Sequence, residues 1–277
     1  YSGNKLFKTT DGGNTWSECY IPSVDGGAER VINDLRMFDE QNGIIACGYT
    51  GSPSGEEAIL VTHDGGDSWE ERETATNHLS KVVIGEDGLA WAEGGTEVYR
   101  TQDHGVSWTK LTYADLFGVV DFQYIHDSLL IGRGYTGLHT NRTYHLIKSR
   151  DKGGRWEKHH VPTDIDHMHF FDTDTAYAGN YYGQGSNHNY QMYMTVNGGE
   201  TWRSINLPFV VERFSFHSPK VGWIVDNNEL IHYTEDGLNT FSVSNCGGEK
   251  VRRIQAISDT SAFIISETPG GYLTDGT

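Results

Sequence analysis

The hydrophobic pattern of the chain is a series of short runs in which apolar and polar residues alternate. Segments such as 31–38 and 97–101 are rich in Val, Ile, Tyr, Phe and Thr, and Gly, Asn and Asp separate one run from the next. A period of two residues is typical of strands with one buried face, and no segment shows the period of an amphipathic helix. The sequence therefore predicts an all-β protein of many short strands.

One octapeptide recurs between these runs. Its best copy spans Thr62 to Trp69, with the pattern Ser/Thr-x-Asp-x-Gly-x-Ser/Thr-Trp. Five good copies and one weaker copy end at Trp16, Trp69, Trp108, Trp156, Trp202 and Phe241, and a seventh begins at Leu273. Successive ends are 53, 39, 48, 46 and 39 residues apart, which is the range of one four-stranded propeller blade. Each copy lies between two predicted strands, so we expect it to form a hairpin turn.

The residue types of the octapeptide suit such a turn. A short Asp or Asn side chain accepts hydrogen bonds from the backbone amides that follow it, glycine adopts the positive φ of a chain reversal, and the hydroxyl side chains bond locally. The Trp then returns to the sheet as a large apolar anchor. We therefore interpret the octapeptide as structural and assign it no catalytic role.

The octapeptides resemble the Asp-box, or BNR, repeats of sialidases, xyloglucanases, sortilin-type receptors and photosystem II assembly factors. The resemblance spans nearly the whole chain and is strongest to the assembly factors. In segment 221–237, Gly222 and Trp223 open a strand and a hairpin leads into Thr234-Glu235-Asp236-Gly237, which is similar to their blade pattern. The resemblance implies a β-propeller of four-stranded antiparallel blades and, for the assembly-factor group, a binding role with no reaction attached.

The length of 277 residues is sufficient for one large all-β domain with a substantial core. The predicted inner strands number six, so we expect residues 1-277 to form a single six-bladed β-propeller. Its ring would be closed by pairing the N-terminal outer strands with the C-terminal inner strands. Seven blades is the alternative if the native chain is longer, and the start at Tyr1 without Met suggests a signal peptide or more removed upstream.

Charge and composition narrow the possible partners. The formal net charge is −17, with no lysine-rich tract, and no apolar run reaches the roughly 18 residues of a membrane helix. The sequence thus predicts no nucleic-acid partner and no membrane span. Cys19, Cys47 and Cys246 lack zinc-site spacing. Cys19 and Cys47 lie on predicted strands of adjacent blades, where a pair of buried thiols is favoured over a disulfide.

Alternation gives each inner strand an apolar and a polar face. The predicted apolar pairs are Leu35/Met37, Val82/Ile84, Phe122/Tyr124, Met168/Phe170, Phe214/Phe216 and Ile254/Ala256. The opposite pairs are Asp34/Arg36, Lys81/Val83, Asp121/Gln123, His167/His169, Arg213/Ser215 and Arg253/Gln255. In a propeller these face the central channel, as either a ligand site or the lining of a water-filled tunnel. The binding candidates here are Asp34, Arg36, Lys81, Asp121, His167, Arg213 and Arg253.

Three long loops are the second candidate region. They span 49–57, 132–143 and 179–189, join the second and third strands of their blades, and contain many Tyr, Asn and Gly residues. Tyr and Asn are common where proteins bind proteins or sugars, because rings supply contact area and amides supply adaptable hydrogen bonds. The binding candidates are Tyr135, Arg142, Tyr181 and Tyr182, with ordinary exposed loops as the alternative.

The residues bear on three further kinds of site: a metal site, a sialidase-like site and a xyloglucanase-like site. His167 and His169 are spaced as metal ligands on a strand require, but no third ligand is fixed, so we predict no metal and no cofactor. Sialidases need an Arg-Ile-Pro type motif, which does not occur here, although Arg36, Arg213 and Arg253 could imitate an arginine triad. A xyloglucanase-like site needs two opposed carboxylates, and Asp34 and Asp121 are those placed on inner strands.

The sequence therefore predicts a non-catalytic binding or assembly scaffold that recognises a protein or peptide partner through the loop face and the channel mouth. Export is expected from the resemblance alone. The alternative is a glycoside hydrolase, sialidase-like or xyloglucanase-like, acting on a glycan. A third hypothesis is an acidic neutralising partner of a basic protein, motivated by the net charge of −17.

Overall fold

A computed structural model describes residues 5–23, 30–49, 57–75, 79–94, 97–111, 118–126, 129–137, 143–161, 165, 167–179, 191–248 and 250–267. Within these ranges the secondary structure consists of strands and turns, as predicted, and no helix could cross a membrane. The chain divides into two units, Tyr1–His159 and His160–Thr277.

The first unit contains one two-stranded sheet and three four-stranded antiparallel sheets, in which the strands of each sheet are neighbours in chain order. The two-stranded sheet is formed by β1 (Leu6–Lys8) and β2 (Ser17–Cys19). The four-stranded sheets are β3 (Arg30–Met37), β4 (Gly43–Tyr49), β5 (Glu57–Thr62) and β6 (Glu70–Ala75); β7 (Leu79–Ile84), β8 (Ala90–Gly94), β9 (Glu97–Thr101) and β10 (Thr109–Leu111); and β11 (Gly118–His126), β12 (Leu129–Thr136), β13 (Thr143–Ser149) and β14 (Glu157–His159).

The second unit contains two four-stranded antiparallel sheets and a two-stranded one. The four-stranded sheets are β15 (His167–Phe170), β16 (Ala176–Gly179), β17 (Met192–Thr195) and β18 (Arg203–Ile205), and β19 (Val211–Phe216), β20 (Gly222–Asp226), β21 (Ile231–Thr234) and β22 (Ser242–Ser244). The two-stranded sheet consists of β23 (Lys250–Ala256) and β24 (Ala262–Glu267). The predicted C-terminal fragment at 271–274 lies outside the described residues.

The core of each unit lies between the faces of successive sheets, because the two middle strands of a sheet are apolar on both faces. Strands β5 and β8 are buried along their whole length. In the first unit, Ile44 and Ile59 pack with Val82 and Ala92 of the next sheet. In the second unit, Val225 packs with Val251. Outer strands such as β22 are exposed at every position, so burial decreases from the middle of each sheet to its outer edge.

The Asp boxes form the predicted turns between the third and fourth strands. In the best copy the Thr62 hydroxyl accepts a hydrogen bond from Gly66 N (2.8 Å), and the Asp64 carboxylate accepts hydrogen bonds from Ser68 N (2.9 Å) and Ser68 Oγ (2.5 Å). Gly66 has a φ of 89°, a conformation that glycine adopts without strain. The weaker copy keeps the same bonds around Asp236 although Leu238 stands at that position, with a φ of 73°.

Cys19, Cys47 and Cys246 are thiols and form no disulfide among the described residues. Of the predicted pair of buried thiols, Cys47 is buried and Cys19 is only partly buried. Cys47 is buried and lies 3.2 Å from the carbonyl oxygen of Ala58, to which its thiol donates. Burial raises the pKa of the Cys47 thiol, and more weakly buried Cys19 is shifted in the same direction for the same reason.

Candidate binding site

The first strands of five sheets contain a bulge or irregularity beside their polar residues. The register shifts lie between Ile32/Asp34, Leu79/Lys81, Val120/Phe122, Val211/Arg213 and Val251/Arg253. A bulge adds one residue to a strand and changes the direction of the side chains next to it. Four predicted site residues, Asp34, Lys81, Arg213 and Arg253, directly follow such a shift. A strict period of two in the sequence does not reveal the extra residue, so sequence reasoning missed this feature.

The predicted apolar faces of the first strands are mostly buried. Val82, Phe122, Met168 and Phe214 all lie in the core. The prediction is wrong for Met37, which is 39% exposed at the end of β3 and lies over the backbone of Gly43. The face assignment thus holds along most of these strands and fails at the end of β3.

In the first unit, the polar side chains of one first strand bind the backbone of the next. The Asp34 carboxylate accepts a hydrogen bond from Val82 N (2.9 Å), and Arg36 Nε donates to Val82 O (3.5 Å). Lys81 Nζ donates to Phe122 O (3.2 Å). These side chains therefore join adjacent sheets, and Asp34 and Lys81 are partly buried in doing so. Arg36 remains available to solvent, since its side chain is 53% exposed.

In the second unit, basic side chains concentrate on two neighbouring strands. Residues 160–267 contain six Lys and Arg residues, and four of them lie on β19 or β23: Arg213, Lys250, Arg252 and Arg253. Ser215 of β19 accepts a hydrogen bond from Ala256 N of β23 (2.9 Å), which holds the two strands side by side. Arg213 forms an ion pair with Glu212 (2.9 Å), and Arg253 is exposed. We call these four residues the basic cluster.

The two histidines of β15 are in contact with aromatic rings. The His167 ring lies 4.9 Å from the Phe214 ring, and the His169 ring lies 4.8 Å from the Phe171 ring. Among the described residues, no group of three His, Cys, Asp or Glu side chains could hold a metal ion. The histidines are thus packed as edge-to-face partners of Phe side chains.

The loop candidates are only partly within the described residues. The loop prediction is wrong for Tyr135, which lies in β12 and is only 5% exposed. Its ring packs against Tyr144 on the paired strand and over Gly118, where a Cβ would lie 2.6 Å from the ring. Tyr135 therefore supports the hairpin and does not face solvent. Three further candidates, Arg142, Tyr181 and Tyr182, lie outside the described residues, as does the side chain of Asp121.

A buried Asp–His pair, which sequence reasoning missed, lies in the second unit. His232 Nε2 is 2.9 Å from Asp226 Oδ2, and the His232 ring is stacked on Phe209 at 3.6 Å. Asp226 also accepts from the amides of Asn228 (2.8 Å) and Leu230 (2.9 Å). Burial would raise the pKa of Asp226, but the bonds from His232 and these amides outweigh it and lower the pKa. This pair fixes the turn between β20 and β21.

The Asp-box carboxylates are hydrogen-bonded within their own turns. Hydrogen bonds from Thr15 lower the pKa of Asp11 to about 2, and hydrogen bonds from Thr240 lower that of Asp236 to about 2. Ser68 lowers the pKa of Asp64 in the same way. A general acid needs a pKa near the working pH, so these carboxylates are unsuited to donate protons in catalysis.

No family model and no curated protein matches the sequence. Among solved structures, one described as YCF48 bound to D1 peptide matches with a TM-score of 0.66 and 18% identity, over 95% of this chain and 84% of that chain. The fold is an Asp-box β-propeller. The blade repeats and their turns are therefore those that the sequence predicted.

Glycoside hydrolases also contain this propeller. The Niastella koreensis GH74 enzyme matches with a TM-score of 0.55 and 14% identity, over 79% of this chain and 39% of that enzyme. A Hadza microbial sialidase matches with a TM-score of 0.51 and 12% identity, over 87% of this chain and 63% of the sialidase. At these identities the likeness extends to the fold alone.

Proposed function

We propose that this propeller is a non-catalytic binding or assembly scaffold for a protein or peptide partner. The observation that carries the proposal is the similarity, over 95% of this chain and 84% of the other, to YCF48 bound to D1 peptide. That match extends over most of both chains, whereas the GH74 match covers 39% of the enzyme. A whole-chain likeness to a peptide-bound propeller favours binding over hydrolysis.

The use of the carboxylates supports the same proposal. A glycosidase needs two carboxyl groups facing one sugar bond. Here the Asp34 carboxylate accepts a hydrogen bond from a backbone amide of the neighbouring sheet, and the Asp226 carboxylate is hydrogen-bonded to His232. The Asp-box carboxylates accept hydrogen bonds within their own turns. These carboxylates have structural partners, which favours a surface that binds without reacting.

The binding surface that we propose is the basic cluster of the second unit, and the guanidinium of Arg36, in the first unit, is a separate candidate. Guanidinium groups bind carboxylates with two parallel hydrogen bonds, and exposed ones can do so without first breaking a buried contact. Arg253 is exposed and Arg36 is 53% exposed. We therefore expect the partner to present acidic side chains to this surface. The loop residues Arg142, Tyr181 and Tyr182 remain candidates for further contacts.

We further propose export, since the similar structures include the extracellular domain of a one-component system, which matches with a TM-score of 0.51 over 83% of this chain. The glycan-hydrolase alternative is less favoured because the sequence lacks the Arg-Ile-Pro motif. Neutralisation of a basic protein by the overall charge of −17 remains the third hypothesis.

The experiment compares binding with hydrolysis on the same purified chain. An array of acidic, neutral and basic peptides is probed with labelled protein, and xyloglucan and a sialoside are incubated with it in parallel. We expect retention on acidic peptides that weakens with salt, and no sugar release. Sugar release above the level of an Asp34→Asn and Arg253→Ala double variant would instead support the hydrolase.

A further inference from the structure

The turn between β20 and β21 reaches across to the next sheet through one carboxylate. Glu229 has a left-handed backbone, with a φ of 60°. Its Oε2 accepts a hydrogen bond from Val251 N at 2.8 Å. Val251 is fully buried, so this amide could not bond water, and a buried amide without an acceptor is costly. Glu229 therefore holds the start of β23 against the sheet β19–β22.

The turn that places Glu229 is itself tightly fixed. Asp226 N donates to Leu230 O (2.9 Å), and Glu229 N donates to Asp226 O (3.0 Å). The Asp226 carboxylate accepts from two amides of the turn and from His232, which is buried. A left-handed non-glycine residue costs free energy, and this network of bonds compensates for it. The turn that presents the Glu229 carboxylate is thus held by Asp226 and its buried partner His232.

The same arrangement occurs in the first unit. Glu57, at the start of a third strand, is buried and accepts a hydrogen bond from Leu79 N of the next sheet. Leu79 is fully buried, and the bulge of β7 follows it directly. Val251 is likewise followed directly by the bulge of β23. Two independent blades therefore use a carboxylate from the preceding sheet to hold the residue before a bulge.

The residue after the bulge is basic in both β7 and β23, but the two basic residues have different surroundings. Lys81 donates to the backbone of Phe122 and is partly buried. Arg253 is exposed and belongs to the basic cluster. Since a bulge sets the direction of the adjacent side chains, fixing Val251 also fixes the direction of Arg253. Fixing Leu79 instead fixes the direction of Lys81, which makes a contact between two sheets.

We propose that Glu229 is a positioning residue for the basic cluster: by holding Val251 it keeps the β23 bulge in the form that directs Arg253 to the partner. This inference rests on the proposed binding function. Glu57 is its structural counterpart, holding a bulge whose basic residue has an internal role. A binding surface built on a fixed bulge loses less conformational entropy when a partner binds.

The test uses four variants of the full chain. Glu229→Gly removes the carboxylate and suits a positive φ, so its effect does not arise from backbone misfit. Glu229→Gln keeps an acceptor oxygen. Asn228→Ala alters an exposed neighbour in the same turn, and Glu57→Ala removes the counterpart. The readouts are the exchange rates of the Val251 and Leu79 amide hydrogens and the affinity for a fluorescein-labelled hexaglutamate peptide, measured by anisotropy.

We expect Glu229→Gly to speed Val251 exchange and weaken hexaglutamate binding, each about ten-fold, which corresponds to one lost charge-assisted bond. Glu229→Gln and Asn228→Ala should stay within about two-fold of the unsubstituted chain. Glu57→Ala should speed Leu79 exchange and leave peptide binding unchanged.

Two results would overturn the inference. One is unchanged Val251 exchange in Glu229→Gly, and the other is faster exchange with undiminished peptide binding. If the unsubstituted chain does not bind hexaglutamate, acidic recognition by the basic cluster is wrong. In that case the exchange comparison of Glu229→Gly with Glu229→Gln still decides whether the carboxylate holds the strand.

Discussion

At the scale of single residues, the Asp boxes show how much a repeated motif can predict. The spacing of Asp, Gly and the hydroxyl residues was sufficient to predict each turn, because every bond of the turn is local in sequence. The bond that Gly66 N donates to the Thr62 hydroxyl spans four residues, as does the bond that Ser68 N donates to the Asp64 carboxylate. The role of Glu229 could not be predicted in this way. Its bond from Val251 joins two sheets and depends on which strands become neighbours.

The depressed pKa values of the box carboxylates predict acid sensitivity. For Asp11 and Asp236 the pKa in the folded chain is about 2, against an ordinary value of 3.8. Since these pKa values are lowered by folding, their stabilisation is fully present above about pH 4 and is lost as the pH falls towards 2. We expect the Tm to drop steeply across this window, as measured by scanning calorimetry between pH 6 and pH 2.

The matched control is Asp236→Asn, because the box at Asn197 already uses an amide in this position. There Asn197 Oδ1 accepts from Thr201 N (3.0 Å), and its amide nitrogen donates to Thr201 Oγ1 (2.9 Å). The variant should lose less Tm than the unsubstituted chain between pH 4 and pH 2. An equal loss in both proteins would show that the box carboxylates do not cause the acid sensitivity.

At the scale of elements, the apolar face of each first strand could be predicted from the sequence, but its bulge could not. Alternation correctly placed Val82 and Phe214 in the core. It did not indicate that Asp34 and Lys81 would bind the backbone of the next sheet. Side chains that bridge neighbouring strands replace the ladder bonds that these first strands lack on that edge. Asp34 and Lys81, two of the site residues predicted from the sequence, therefore have structural contacts. The effect of these contacts on stability must be separated from any role in binding.

Substitution of Asp34 separates these roles. Asp34→Ala removes the acceptor of the buried Val82 amide and should lower the free energy of unfolding by about 1–3 kcal/mol, measured by urea titration. Asp34→Asn keeps an acceptor oxygen and should cost less than about 1 kcal/mol. If the two variants are equally stable, the bond from Val82 to Asp34 does not join the sheets in solution.

At the scale of the whole molecule, two sheets each have half of the strands of a blade. The bulge in β23 marks a first strand, and the Asp box between β1 and β2 marks third and fourth strands. Each two-stranded sheet exposes large apolar side chains, with Trp16 61% and Phe263 69% exposed. Apolar groups on a sheet normally pack against a neighbour. We therefore propose that each of these two-stranded sheets gains further strands that cover its apolar side chains.

Hydrogen exchange tests whether the two sheets gain strands. If they do, amides on both edges of β24 and of β1 should exchange slowly, whereas those on the outer edge of β22 should exchange quickly. Strand β22 is a suitable internal control because it is exposed at every position. Fast exchange on one edge of both β24 and β1 would show that these sheets remain two-stranded in solution.

The central claim is that the chain recognises a partner and does not transform one. The most direct test is capture with the intact chain from its native source, followed by mass spectrometry of the retained material. The comparison protein is the Arg213→Ala and Arg253→Ala double variant, after its Tm has been shown to match. We expect a stoichiometric protein partner that the double variant loses. Equal retention by both proteins, or release of sugar from a glycan by the intact chain, would contradict it.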